Sequence, residues 1–150
     1  MDKKKNRLKI LLVDDDRDDR KFFSDGLADL NLNTQLHEVE NGAACLEYLQ
    51  DAVNNKPDLI FLDLNMPVMN GFECLKNIRA LAEYKETIIS IYSTSASEKD
   101  MEKTFNYGAN IYLHKPVKLS DLKKALKQII TTNWTYHNND FNRENFLLKV

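Results

Sequence analysis

Short apolar runs and helical periodicities alternate along this chain, and that alternation limits its possible folds more than any other property. The run Leu8-Lys9-Ile10-Leu11-Leu12-Val13 ends at Asp14-Asp15-Asp16, and residues 21–32 then carry Phe22, Phe23, Leu27 and Leu30 at helical spacing. Residues 35–39 read as a weaker strand, and Asn41-Gly42 precedes a helix with Ala43, Leu46 and Leu49 on one face. Pro57-Asp58 introduce the strand 59–62, after which Asn70-Gly71 open a helix bearing Phe72, Leu75, Ile78, Leu81 and Ala82. Residues 87–92 form the fourth strand. Ser97 suits the cap of a helix over 98–107 with Met101, Thr104 and Phe105 inward, and Gly108 suits the left-handed residue past its end. Residues 111–113 make the fifth strand. Ser120 or Asp121 begins a last helix that runs to about Thr131 on the stripe Leu122, Ala125, Leu126 and Ile129.

Five strand–helix units in strict alternation demand right-handed crossovers and a parallel sheet covered on both faces. The expected fold is therefore α/β, a doubly wound five-stranded parallel sheet with five helices. A chain of 150 residues is long enough to bury roughly two thirds of its unfolded surface in one domain, with no disulfide or metal staple. Residues 1–132 are expected to form that domain. Its 43% hydrophobic and 29% charged residues, with a net charge of -2, describe a globule rather than a disordered chain or a strong nucleic-acid field. Cys45 and Cys74 fall in apolar periodic segments and read as small core hydrophobes. No run approaches the roughly 18 apolar residues of a membrane span, and the polar start lacks the apolar stretch of a signal peptide, so the expected location is the cytoplasm.

The segment 133–150 breaks the rhythm. It is rich in Asn yet carries Trp134, Tyr136, Phe141, Phe146, Leu147 and Leu148, with Asn139 or Asp140 able to cap a short helix. It reads either as an extension covering apolar surface of its own domain or as a dimer or partner contact, and as no separate output domain.

In open parallel sheets, ligands bind beyond the carboxyl ends of the strands. Those ends hold the chain's least ordinary residues: Asp14 and Asp15 after the first strand, Asp63 after the third, Ser93 and Thr94 after the fourth, Lys115-Pro116 after the fifth. Asp63 follows the unbroken apolar run Leu59-Ile60-Phe61-Leu62, a strand buried on both faces, where an unpaired carboxylate costs several kcal/mol. Three carboxylates at one edge repel one another unless a cation joins them. Mg²⁺, which takes oxygen ligands and asks for neither Cys nor His, meets that need, Mn²⁺ being the other candidate. The lysine supplies a permanent charge. Such a set suits phosphoryl transfer to a carboxylate, with the Ser93 hydroxyl and Lys115 holding phosphoryl oxygens.

These motifs resemble the receiver domain of two-component response regulators, over about residues 7–131 and in the right order. Leu11-Leu12-Val13-Asp14-Asp15-Asp16 is similar to its acidic pair, Asp63-Leu64-Asn65-Met66-Pro67 with Asn70-Gly71 to its phosphoacceptor loop, and Lys115-Pro116 to its lysine and adjoining cis-proline. The resemblance implies a flavodoxin-like strand order 2-1-3-4-5. It makes Asp63 the phosphoacceptor, Asp15 a direct metal ligand, Asp14 a ligand through water, and Asn65 a ligand through its backbone carbonyl. Ser93 matches the switch hydroxyl, Tyr112 the switch aromatic, and Lys115 the salt-bridge partner of the acceptor. Thr94 departs from the pattern, lying where a smaller residue is usual, and its branched side chain would slow attack on the phosphoryl group. The implied partners are a sensor histidine kinase or phosphotransfer protein and a downstream protein, with neither nucleic acid nor membrane. A homodimer through the fourth-helix, fifth-strand, fifth-helix face or the tail is compatible with it. The implied activity is Mg-dependent self-phosphorylation from a donor with slow self-dephosphorylation, not that of a turnover enzyme.

Two other readings stay open. Asp14-x-Asp16 imitates the nucleophile and acid pair of haloacid-dehalogenase phosphatases, although that family places its nucleophile on the first strand and further acidic residues late in the chain, whereas here an isolated acidic residue ends the third strand. A receiver-like module that docks partners without phosphorylation is the other. Asp16, Asp18 and Asp19 read as a solvated, dipole-complementing start to the first helix. His37, His114 and His137 lie too far apart for a metal site, and Lys118, Lys123, Lys124 and Lys127 read as a solubilising face.

Overall fold

The computed structural model describes residues 7–132 and 146–148. Its elements are β1 (Leu8–Val13), α1 (Arg17–Asp29), β2 (Thr34–Val39), α2 (Gly42–Gln50), β3 (Leu59–Leu62), α3 (Gly71–Ala80), a 3₁₀ turn (Ala82–Tyr84), β4 (Ile88–Ser93), α4 (Glu98–Asn106), β5 (Ile111–His114), α5 (Leu119–Thr131) and β6 (Leu147–Leu148). The strands are all parallel, in the order β2-β1-β3-β4-β5-β6. The expected order 2-1-3-4-5 is present, and β6 adds a short sixth strand beyond it. The winding reverses between β1 and β3, so the crevice for a ligand opens between Val13 and Leu62, which pair across those strands.

Alternate strand residues serve two cores. Leu11, Val13, Ile60, Leu62, Ile89, Ile91 and Tyr112 face one side, under Cys45 and Leu49 of α2 and Cys74, Leu75 and Ile78 of α3. Ile10, Leu12, Phe61, Tyr92 and Leu113 face the other, under Phe23 and Leu27 of α1 and Leu122, Leu126 and Ile129 of α5. Strands buried on both faces cannot alternate polar and apolar residues, which is why β3 and β4 read as continuous runs. Both cysteines are buried and free, as their apolar surroundings imply.

Helix starts follow their caps. Asp16 accepts from the backbone N–H groups of Asp18 and Asp19 at 2.8 and 3.0 Å, which begins α1 at Arg17 rather than near residue 21. Asn41, Asn70 and Ser97 cap α2, α3 and α4 in the same way. The expected start of the last helix at Ser120 or Asp121 is corrected: α5 begins at Leu119 after Lys118, with no side-chain cap, because Leu119 already packs against the α1–α5 core. The expected run of α3 through Ala82 is also corrected. Leu81 turns extended, and the 3₁₀ turn buries Tyr84, whose hydroxyl donates to the Leu49 carbonyl at 2.8 Å. Residues 139 and 140, the proposed tail cap, lie outside the described residues. Gly108 has φ +101°, the left-handed conformation expected of it.

Candidate functional site

Backbone pairing at the switch point sets the site. The N–H of Asp63 donates to the Val13 carbonyl at 3.0 Å, and that of Asp14 to the Val39 carbonyl at 3.1 Å, so each aspartate continues the sheet by one residue beyond its strand. Gly71 lets α3 close over the loop that follows Asp63. Its N–H reaches the Leu64 carbonyl at 2.9 Å, and a Cβ there would strike the Asp63 carbonyl oxygen and come within 2.7 Å of Leu64 Cα. The loop is thereby pinned, and the N–H of Leu64 donates to Oδ1 of Asp63 at 2.9 Å.

Carboxylate oxygens of Asp14, Asp15 and Asp63 all lie within 4.8 Å of one another. Asp14 is fully buried, Asp63 is 5% exposed, and Asp15 faces solvent. An all-oxygen donor set of this kind, with one open side, fits a hard divalent cation that keeps several waters. Lys115 reaches in from the end of β5, with its Nζ 2.9 Å from Asp14 and 3.6 Å from Asp63. The surrounding depression is lined by Asp15, Asp16, Arg17, Asp18, Asp19, Asp63, Asn65, Thr94 and Lys115.

The electrostatics follow from burial and from the single nearby ammonium. Burial raises the Asp63 pKa to about 6, Lys115 opposes the rise, and Asp14 adds to it. Burial raises that of Asp14 as well, offset by its hydrogen bond to Lys115. For Lys115, burial works to lower the pKa, but the hydrogen bonds to Asp19 and Asp14 and the charge of Asp63 outweigh it and raise it above 10.5. The ammonium therefore stays charged throughout the physiological range.

Of the residues singled out in the sequence, Asp14, Asp15, Asp63 and Lys115 converge, and Asn65 and Thr94 line the same depression. Ser93 and Tyr112 are fully buried behind it. They are joined through Ser95: its N–H donates to the Ser93 hydroxyl at 3.1 Å, and its carbonyl accepts from the Tyr112 hydroxyl at 2.9 Å. The Lys115 N–H donates to the Ser93 carbonyl at 2.8 Å, tying this group to the site. The peptide before Pro116, which the resemblance makes cis, is trans, the isomer an X–Pro bond favours by about 0.5–1 kcal/mol.

Two participants escaped the sequence reading. Asp19 is an ion-pair partner of Lys115 at 2.8 Å, not merely part of a solvated helix start. Recognising Asp16 as the cap would have placed Asp19 in the first turn, beside the strand-end carboxylates. Ser95 carried no pattern of its own.

The family model described as the response regulator receiver domain matches residues 10–127. The chain belongs to this family. The chemotaxis protein CheY1 of Helicobacter pylori is 30% identical over 126 residues, spanning 84% of this chain and 99% of that one. The crystal structure of a phosphorylated cyanobacterial phytochrome response regulator, RcpA, superposes with a TM-score of 0.75 at 31% identity, covering 82% of this chain and 91% of the other. The Mn²⁺-bound form of response regulator Rcp1 gives 0.73 at 30% identity, over 81% and 90%. The fold is that of these receivers, and the acidic cluster here offers an oxygen donor set of the kind a divalent cation takes. Receiver domains as a family pass signals rather than turn over substrates. Among the described residues no helix is long and apolar enough to cross a membrane.

Proposed function

We propose that Asp63 accepts a phosphoryl group from a histidine kinase or phosphotransfer protein, and that the chain then changes its affinity for a downstream protein. The observation that carries this reading is the meeting of three carboxylates within 4.8 Å of one another with Lys115, at the sheet's switch point. An Asp63 carboxylate oxygen attacks phosphorus, the bond from phosphorus to the donor's imidazole nitrogen breaks, and the imidazole leaves with that electron pair. An acyl phosphate results. Attack of water on phosphorus later releases inorganic phosphate and restores the carboxylate.

Asp14, Asp15, Asp63 and the Asn65 carbonyl would hold the cation, which we assign as Mg²⁺ with Mn²⁺ as a substitute. When bound it neutralises charge gathering on the phosphoryl oxygens. Lys115 holds another phosphoryl oxygen, and Ser93 turns its hydroxyl toward a third. The charge at Asp63 grows from one to about two negative charges, which favours the arrangement in which Ser93, Ser95 and Tyr112 draw together. The surface formed by α4, β5 and α5 reports that change. A cytoplasmic location and a receiver spanning residues 1–132, with 133–150 as its extension, complete the proposal.

The test is incubation with Mg²⁺ and phosphoramidate or beryllofluoride, comparing the wild type with Asp63→Ala and Asp14→Ala. Stoichiometric modification lost in Asp63→Ala supports the proposal. Multiple turnovers abolished by Asp14→Ala would show a phosphatase instead, and no modification at all a docking module.

A further inference from the structure

Phe146, although it follows the fifth strand–helix unit in the chain, is 3% exposed and belongs to the same core cluster as Tyr112. Its ring meets Phe105 of α4 edge-on at 5.3 Å and tilts over Tyr112 of β5 at 5.9 Å. Behind it, the backbone of β6 continues the ladder on β5, with Leu147 opposite Tyr112 and Leu148 opposite Leu113. Without this segment β5 would end the sheet with unpaired N–H and C=O groups, the natural template for an added strand.

Tyr112 is the residue this segment covers, and its ring points inward. It has no exposed surface, and its hydroxyl is spent on the Ser95 carbonyl. A continuous chain of contacts runs from Phe146 through Tyr112 and Ser95 to Ser93, whose carbonyl holds the N–H of Lys115. An outward swing of the ring would have to pass the β5 edge, where Phe146 and β6 lie.

We infer that residues 146–148 are an intramolecular ligand of the α4–β5 edge that selects the inward Tyr112, so that docking of this segment and phosphorylation of Asp63 favour one another. The inference rests on the phosphoacceptor reading above. A ligand that prefers one of two states shifts their equilibrium, and the coupling is reciprocal. Phosphorylation that holds Tyr112 inward completes the aromatic seat for Phe146. A docked segment in turn lowers the cost of bringing Tyr112 inward. It also occupies the strand edge, so a protein partner that reads this edge by adding a strand must displace the chain's own residues first.

The full chain is titrated with beryllofluoride in excess Mg²⁺, and amide hydrogen exchange is followed at Leu147 and Leu148. Independently of protein concentration, beryllofluoride should increase protection of whichever of the two amides points toward β5, since successive N–H groups of a strand face opposite sides. Phe146→Ala should raise the beryllofluoride dissociation constant by about two- to tenfold, the coupling expected of an aromatic pair. Phe146→Leu should do so by less, and in a Tyr112→Ala background Phe146→Ala should have no effect. Unchanged affinity in Phe146→Ala, or unchanged protection on adding beryllofluoride, would overturn the inference and leave the segment a plain edge cover. Protection that falls on dilution would overturn it too, by showing that the segment comes from a second copy. A wild type that binds no beryllofluoride would fail the phosphoacceptor reading and this coupling together, whereas binding that ignores Phe146 fails the coupling alone.

Discussion

The ammonium of Lys115 stands 2.8 Å from Asp19, closer than the 3.6 Å that separates it from Asp63. With Asp14 at 2.9 Å, the ammonium stands among three carboxylates, hydrogen-bonded to Asp19, and Asp63 is the farthest of the three. The chain thus carries a third anion on its lysine, at the mouth of a depression already rimmed by Asp15, Asp16 and Asp18.

Asp19→Asn should therefore quicken phosphorylation by a small anionic donor. The substitution removes a competing charge from Lys115 and a repulsive one from the approach path. Because Asp19 is partly exposed, the effect should be modest, about two- to fivefold in rate and in beryllofluoride affinity, as for other partly solvated ion pairs. Rates with phosphoramidate, measured for both proteins at low and moderate salt, check it. A slower reaction in Asp19→Asn would mean instead that Asp19 aims the lysine at Asp63.

Asp63→Asn should stabilise the metal-free protein, and more so as pH rises. In the folded state the carboxyl has a pKa of about 6 against the ordinary 3.8, so between those values the native state binds more protons than the unfolded one. Stability from this group is thus fully present below about pH 4 and is lost as pH rises through about 6. The asparagine protein lacks that loss. Its advantage should grow from pH 4 to 6 and level off at about 1–3 kcal/mol, the upper figure being the full worth of a rise from 3.8 to about 6. Urea unfolding in EDTA at pH 4, 5, 6 and 7 measures the difference, and a constant offset would contradict it.

How far the sequence revealed this molecule depended on whether a feature was local. The strand 59–62 was legible to the residue because a strand with two buried faces leaves an unbroken apolar run, and Asp63 stood out against it. Lys115 was found as the cation ending the fifth strand, on the edge where Asp63 needed a partner, although its distance from Asp14 in sequence hides a 2.9 Å ion pair. Asp19 and Ser95 were missed because an aspartate in a first helical turn and a serine in a loop have ordinary capping roles that satisfy every local rule. The extension was left between two readings, since the packing of Phe146 on Phe105 and Tyr112 depends on tertiary position alone.

Arg79 shows the same limit for stability. One arginine on a helix reads as surface, yet its guanidinium donates to the carbonyls of Tyr84, Thr87 and Gly108 and to the Asn110 side chain, at 2.7 to 2.9 Å. Burial lowers its pKa to about 10, so it remains charged at neutral pH. It gathers the end of α3, the start of β4 and the turn before β5 around one cation. Arg79→Met keeps most of the apolar stem and strips those carbonyls of their donor. We expect a loss of about 2–4 kcal/mol, since hydrogen bonds from a charged donor are each worth about 1.5–3 and water will replace some. Denaturant unfolding measures it, with beryllofluoride binding by the folded fraction unchanged.

Val68 should be replaceable at a gain. It lies in the loop between Asp63 and α3 with φ 70°, a left-handed conformation that a β-branched residue tolerates poorly, and its side chain is 84% exposed. Little packing offsets the strain. Val68→Asn, which accepts that conformation, should stabilise the fold by about 0.5–1.5 kcal/mol. Val68→Ile should not. If the asparagine protein is less stable in thermal unfolding, the strain is not there. If it is more stable but phosphorylated more slowly by a histidine phosphotransfer protein, while phosphoramidate reacts as before, the exposed valine serves donor contact.

Thr94 lies at the same mouth, exposed and lining the depression, with its carbonyl 2.9 Å from Nε2 of His114. That contact fixes the backbone, so the branched side chain stays beside the space a phosphoryl group on Asp63 would fill. Water must reach phosphorus through that space for hydrolysis. Thr94→Ala should lower the barrier to dephosphorylation by about 0.5–1.4 kcal/mol, a two- to tenfold faster loss of phosphate. Thr94→Val, equal in shape but without the hydroxyl, should keep the slow rate if bulk is the cause. Autodephosphorylation of the three purified, phosphorylated proteins decides it: a fast valine protein would assign the effect to the hydroxyl, and an unchanged alanine protein would remove Thr94 from the control of phosphoryl lifetime.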